Sequence, residues 1–493
     1  MNVLRAVFYL CVLMVLSACN APQPGEKVSR LNKPPEIFPD YIGVMVPPNI
    51  APLNFRIEED SVEHIKVVVE GKNNQRLNLS SSGPVQFPLR QWKDILGQTK
   101  GDTLHVTITV QKGDKWLQYK PFSIYVSPDP IDYGLTYRLI APGYEVYSKM
   151  GLYQRKLSGF SERPVLENTL IQGSCVNCHS FRETEAEKMS LHIRGKKGGT
   201  LLKDGNSMKL LDTKTKKTLS SCVYPYWHPS GEFIAYSVNK TQQAFHSLDA
   251  KRIEVFDHAS DVVILDRHRQ ELFSCDLLKS EDHFETFPVF SPDGKNLYFA
   301  SSESRDLPDG FKDIQYNLLS IEFDPETRSF GEKVDTLVNA RRQDQSISFP
   351  RPSYDGKFLM YTKFNYGNFS IWHPEADLWL LDLDTGESKP LEKLNSNRTE
   401  SYHSWSSNSR WVVFSSRRVN GLYTMPYIAH IDEEGNAGKP FLLPQEDPDH
   451  YDETFYSFNV PEFVNNPVDV DLVEFENLVD KNNQQLTFAK KER

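Results

Sequence analysis

The chain is short of the features that announce familiar chemistry. Its 493 residues hold only 6 cysteines, and it has no Gly-rich phosphate loop, no G-x-S-x-G elbow and no H-E-x-x-H pair. Those absences remove the nucleotide-hydrolase, serine-hydrolase and zinc-protease readings that rest on these motifs. Positive charge is also short: 56 Lys and Arg against 66 Asp and Glu give a net charge of −10. A nucleic-acid partner demands a basic face, so none is expected. Beyond the N-terminus no run approaches the ~18 consecutive apolar residues of a membrane-spanning helix. What remains is a polar chain of mean hydropathy −0.51 with 12% aromatic residues, a composition that suits β structure better than disorder.

Met1 to Asn20 reads as a targeting segment. Arg5 supplies the positive n-region, and Ala6 to Leu16 is an apolar run too short to span a bilayer comfortably. The run ends in Leu16-Ser17-Ala18-Cys19, which resembles the lipobox of bacterial lipoproteins. That resemblance implies removal of residues 1–18 and a thioether-linked lipid on Cys19, so the mature chain is expected to be anchored to a membrane rather than to span it. An ordinary secretory signal with an incidental cysteine is the alternative. The residues after Cys19 (Asn-Ala-Pro-Gln-Pro) lack the acidic cluster of a surface-export signal. The expected site is therefore the outer membrane facing the periplasm, with the cell surface as the other option.

The most informative stretch is Cys175-Val176-Asn177-Cys178-His179, which reads C-x-x-C-H. Two thiols at this spacing can each form a thioether to a haem vinyl group, and the histidine after the second lies under the iron as proximal ligand. From the chain's own composition the pattern is expected by chance about 0.002 times. The competing readings are a Cys175–Cys178 disulfide or redox dithiol, and a metal other than haem. Zinc would want a second Cys or His pair nearby, and none follows at the usual spacing. As sixth ligand the sequence favours Met189, then His192, then an open or water-occupied position. On a strand Met189 and His192 point to opposite faces, so at most one reaches the iron without a bend. Export agrees with covalent haem, because this attachment takes place outside the bacterial cytoplasm. Cys222 and Cys275 remain, expected on inner and outer strands of one blade, roughly 14 Å apart. That exceeds the ~7 Å limit for a disulfide, so two buried free thiols are expected.

The organisation is all-β. Residues 19–36 are Pro-rich and aperiodic, a flexible tether. Residues 37–130 alternate apolar and polar in runs such as Leu104-His-Val-Thr-Ile-Thr-Val110, predicting an immunoglobulin-like β-sandwich with a helical turn around Leu89 to Leu96. Residues 133–465 carry a repeat. Pro225-Tyr-Trp-His-Pro-Ser-Gly231, Pro288-Val-Phe-Ser-Pro-Asp-Gly294, Pro350-Arg-Pro-Ser-Tyr-Asp-Gly356 and His403-Ser-Trp-Ser-Ser-Asn-Ser409 each precede a β-branched and aromatic strand. Strand, tight turn and strand at a spacing of 53 to 63 residues predict propeller blades, counted as six, with five or seven as neighbours. Strands from the two ends of this region are expected to share one blade and close the ring. Residues 466–493 read as a polar tail.

Ser174-Cys175-Val176 aligns with Ser221-Cys222-Val223, which puts the C-x-x-C-H on a blade's innermost strand and the haem at the axis or a mouth. Glu285, Arg351, Glu400 and His403, near the starts of inner strands, are candidates to line that channel.

Residues 41–56 and 171–200, with the repeats, resemble a Bacteroidetes-type family of exported TolB-like propeller lipoproteins with WD40-like repeats and one C-x-x-C-H. The resemblance implies architecture and location more firmly than activity. Three functions are consistent with the residues. The first is a lipid-anchored monohaem c-type cytochrome passing electrons to a redox protein partner. The second is a propeller module docking a protein or glycan, with haem or a disulfide as structural support. The third is a haem enzyme with an open iron site.

Overall fold

The computed structural model describes residues 28–142, 149–171, 173–246, 250–481 and 484–489. Cys19 and the signal segment lie outside them. No described helix is long and apolar enough to cross a membrane.

Residues 134–464 form six blades around one axis, five of four strands and one, that of His283–Phe290, of five. The first blade joins both ends of this region: Gly134–Ile140, Gly151–Lys156 and Glu162–Glu167 from its start, with Ser457–Val464 from its end as the innermost strand. Gly134 pairs with Val464 and Ile140 with Ser457, so the two ends of the region close the ring by hydrogen bonding. Blades 2 to 6 follow in order, with inner strands Cys175–Arg182, Val223–Trp227, His283–Phe290, Ser346–Pro352 and Glu400–Trp405.

The repeated Asp-Gly turns lie between first and second strands, as the sequence pattern requires. Gly231, Gly294, Gly356 and Ser409 all take left-handed φ, between 57° and 75°. In three of these turns a serine donates to the acidic or amide residue two positions on, at 2.6 Å (Ser291–Asp293, Ser353–Asp355, Ser406–Asn408). The local side-chain bond fixes the turn that the strand register then uses.

In the N-terminal unit, His64–Glu70, Arg76–Ser81, Asp102–Lys112, Lys115–Gln118 and Phe122–Val126 hydrogen-bond into one sheet. Val28–Arg30 and Met45–Val46 add to it in parallel. A separate two-residue ladder pairs Ile37–Phe38 with Arg56–Ile57. Alternation buries Leu104, Val106, Ile108 and Val110 on one face, covered by the helix Leu89–Gln98 through Trp92, Ile95 and Leu96. The stretch read as a tether through residue 36 is thus engaged from Val28, where its backbone finds the open edge of Lys115–Gln118.

This unit is docked, not tethered. One apolar core runs from Tyr41, Val44, Ile50 and Phe55 into Trp405, Trp411 and Phe441 of blade 6. Asn54 donates to the carbonyls of Gln445 and Glu446, and the Trp411 indole donates to the Asp129 carbonyl at 3.2 Å.

The C-terminal stretch is not a free polar tail. Asp471 caps the helix Leu472–Asp480 by accepting from Val473 and Glu474. Phe475, fully buried, then packs among residues of blades 1 and 2. Gln484–Gln485 and Thr487–Phe488 add in parallel to the outer strands of blades 2 and 3, with Leu486 buried between those blades. Two buried apolar anchors, Phe475 and Leu486, spaced through polar sequence suffice for such a strap, and they leave no periodic pattern to read.

Candidate functional site

Each inner strand carries a β-bulge at the same height, for example between Val176 and His179, Val223 and Tyr226, or Ser348 and Arg351. A bulge bends a strand and re-aims its side chains. In five blades one bulge residue is left-handed although it is not glycine: Tyr224, Phe287, Phe349, Tyr402 and Val460, with φ from 47° to 52°. Register makes Asn177 their counterpart in blade 2. The next residue is Pro225, Pro288, Pro350 and Pro461 in four blades, Cys178 in blade 2 and His403 in blade 6. The bulge ring thereby becomes a rim around the axis.

Inside the rim lies a cavity of about 1180 Å³, counting its open part, and Cys175, Cys178 and His179 all line it. Opposite them stands an aromatic crescent. Tyr224 to Phe287, Phe287 to Phe349 and Phe349 to Tyr402 have ring centroids 4.6, 4.3 and 4.8 Å apart. Arg138, Arg194 and Arg351 supply positive charge to the same wall. Arg138 Nη1 donates to Asn177 Oδ1 at 2.6 Å, and Arg351 Nη2 stands 4.0 Å from Glu462. Burial raises the Glu462 carboxyl to about 7, against the pull of Arg351, so near neutral pH the wall is net cationic.

His179 is 2% exposed. Its Nε2 lies 3.3 Å from Thr136 Oγ1, whose own hydrogen goes to the Glu462 carbonyl. The imidazole therefore donates from Nε2 and keeps its lone pair on Nδ1, which has no partner. Burial, with Arg138 and Arg351 adding to it, lowers its pKa to about 3, so the ring is neutral and able to ligate. Cys178 is a buried thiol whose pKa burial pushes up, and Cys175 is half-buried; both are free. The motif is extended backbone, with Cys175 opposite Arg194 and His179 opposite Leu191.

The other candidates separate. Met189 is fully buried in the apolar cluster between blades 1 and 2, with Phe181 and Leu191. His192 faces the other way, its Nδ1 3.4 Å from Thr200 Oγ1. Neither lines the cavity. Arg351 and His403 do. Glu285 instead accepts from Ser280, and Glu400 accepts from Ser396, Ser416 and Arg418 away from the axis. Cys222 is buried, Cys275 half-buried, and neither is bridged.

The sequence reading missed the cover of this cavity. The second and third strands of blade 3, Phe233–Phe245 and Ile253–Asp266, run 13 and 14 residues and pair as far as Phe245 with Ile253. Their extension brings Thr241, Gln243 and Val255 to the channel. It rests on blade 5: Tyr366 donates to Glu254 at 2.6 Å and Asn368 to Asp257 at 2.6 Å. Alternating polar residues over 239–246 were the available signal.

No family model matches this chain, and no curated protein sequence matches it either. Solved structures resemble its fold. A prolyl oligopeptidase B from Galerina marginata is 10% identical, covering 68% of this chain and 42% of that one at a TM-score of 0.35. The chain spans less than half of that peptidase's length. A periplasmic gluconolactonase from Pseudomonas aeruginosa is 13% identical over 63% of this chain and 97% of its own, also at 0.35. A protein of unassigned family function from Bacteroides caccae is 8% identical over 72% and 94%, at 0.30.

Proposed function

We propose that this chain is a lipid-anchored, monohaem c-type cytochrome built on a propeller, a member of the TolB-like lipoproteins it resembles, with an immunoglobulin-like N-terminal unit. The observation that carries the reading is convergence. Two free thiols and one neutral imidazole with an unpartnered nitrogen meet in a single cavity. The donor set fits the group: Cys175 and Cys178 would hold the porphyrin through sulfur and His179 would bind its iron. Bound there, haem supplies one reversibly exchanged electron.

The chain's own residues do the rest. The aromatic crescent offers an apolar surface of mutually tilted rings and excludes water from it. Arg138, Arg194 and Arg351 offer guanidinium groups to carboxylates, as haem propionates require. The net cationic wall would favour the reduced, less positive state of a bound iron, and the arm from blade 3 restricts access to the cavity. A lipid on Cys19 would keep the site at the membrane, facing the periplasm, where a redox protein can dock.

The test is a purified lipoprotein expressed alongside a haem-attachment system. A Soret band that survives acid-acetone extraction, present in wild type and absent in Cys175→Ala/Cys178→Ala, supports the reading. Thiols found joined to each other, with no added mass, sink it. Loss of lipid labelling in Cys19→Ala tests the anchor separately.

A further inference from the structure

The rim has six equivalent positions, and only two of them depart from proline among the described residues: Cys178 in blade 2 and His403 in blade 6. Proline suits this place because its fixed φ holds the bend after the bulge and it offers no donor to a channel. A blade that abandons it does so for what the side chain brings. In blade 2 that is a thiol of the C-x-x-C-H. In blade 6 it is an imidazole, lining the same cavity.

His403 is 3% exposed. Its Nε2 donates to the Met360 carbonyl at 3.1 Å, and a carbonyl can only accept, so the proton's place is fixed. Nδ1 then carries the lone pair, is buried, and has no partner. This is the state of His179: neutral ring, proton spoken for, one free nitrogen. Such buried unpartnered atoms in a native fold call for an explanation.

The competing donors are engaged elsewhere or chemically unsuited. Met189 is packed in the core between blades 1 and 2, and His192 is bonded to Thr200 off the channel. The phenols of Tyr224 and Tyr402 are held protonated by burial. The Glu462 carboxylate takes the Phe181 amide and faces Arg351.

We propose that His403, which lines the same cavity as His179, would be the second imidazole to ligate the iron. The assignment rests on the cytochrome reading above. It gives that reading a specific character: two imidazoles close the iron to outside ligands and set a lower potential than an imidazole–thioether pair, which suits electron transfer and not an open-site enzyme.

The experiment compares oxidised proteins by visible absorption and low-temperature electron paramagnetic resonance, with covalent haem per chain measured by the pyridine haemochrome. Wild type is expected to be low-spin without the weak methionine band at ~695 nm. His403→Ala is expected to keep its haem, turn high-spin, and return to low-spin on adding imidazole. His403→Met, which keeps a ligating side chain should the alanine variant not fold, is expected to gain the methionine band and a higher potential. Met189→Leu and His192→Asn are expected to leave the wild-type spectrum in place. A high-spin wild type, a low-spin His403→Ala without imidazole, or loss of the low-spin signal in Met189→Leu overturns the assignment alone. A wild type with no covalent haem overturns the cytochrome reading and takes this assignment with it.

Discussion

Two inner strands of the ring, one blade apart, share a register step but differ at the bulge, where Tyr224 is left-handed and Asn177 is not. In blade 3 the bulge reads Val223-Tyr224-Pro225-Tyr226; in blade 2 it reads Val176-Asn177-Cys178-His179. Both strands bulge at the same step against their neighbours. Blade 3 uses the bend to seat an aromatic ring against Phe287 at 4.6 Å, which is packing. Blade 2 uses it to set two thiols and an imidazole on the same channel. The site thus keeps the register step of the other five blades while changing the side chains and the bulge residue's backbone conformation.

The widest way to break the contrast is to give blade 2 the residue its neighbours have. Cys178→Pro is expected to leave the propeller folded, because register and bulge are those of four proline-bearing blades. It is expected to abolish doubly linked haem completely, since one of the two thioethers cannot form. Circular dichroism and haem content measured together check it. A chain that unfolds would show that the blade 2 bend is not equivalent to the others.

The reverse contrast concerns stability. Phe349, 6% exposed, touches Phe287, Tyr224 and Tyr402, so it is the middle of the crescent. Phe349→Ala is expected to cost about 3–5 kcal/mol, read as a shifted midpoint in denaturant. Asn177→Ala, at the matching place in blade 2, removes one hydrogen bond to a guanidinium and is expected to cost about 1–3 kcal/mol. Equal losses would mean that blade 2 packs as the others do.

Much of this contrast was legible in the sequence. Aligning Ser174-Cys175-Val176 with Ser221-Cys222-Val223 places the motif on an inner strand, and the structure puts Cys175–Arg182 there. Blades 3 to 6 follow from local turn chemistry, which each copy carries within a few residues, and the count of six adds two units read from strand-sized runs alone. His403 stood in plain view, heading a repeat whose other three copies begin with proline, yet its partner position Cys178 belongs to a blade without the Asp-Gly turn. The missed parts are those that depend on distant chain. Residues 41–56 do not announce that they dock on blade 6, and the C-terminal strap pairs two residues at a time with strands more than 200 positions away. Met189 drew attention through spacing alone, and spacing along a strand does not tell which face meets the channel.

A pH-dependent effect separates the two blades by length. Blade 2's second and third strands, Glu185–Arg194 and Gly199–Asp204, stop short, while blade 3's continue into the arm over the cavity. Where the arm meets blade 5, Asp257 accepts from Asn239 and Asn368 at 2.6 Å each, but burial outweighs those bonds and raises its carboxyl to about 7. Folding thus favours the protonated form. The stability this contributes is complete below the unfolded value near 3.8 and is lost as pH rises through 7. Asp257→Asn removes that dependence, so between pH 4 and pH 8 the variant is expected to gain about 2–4 kcal/mol relative to wild type. Glu462 and Glu285, also raised to about 7 by burial, keep a slope of the same sign in both proteins. Denaturant midpoints at the two pH values measure the difference. Should the variant track wild type, the arm's polar foot is hydrated, and the cavity beneath it is more open than the pairing of Asn368 with Asp257 implies.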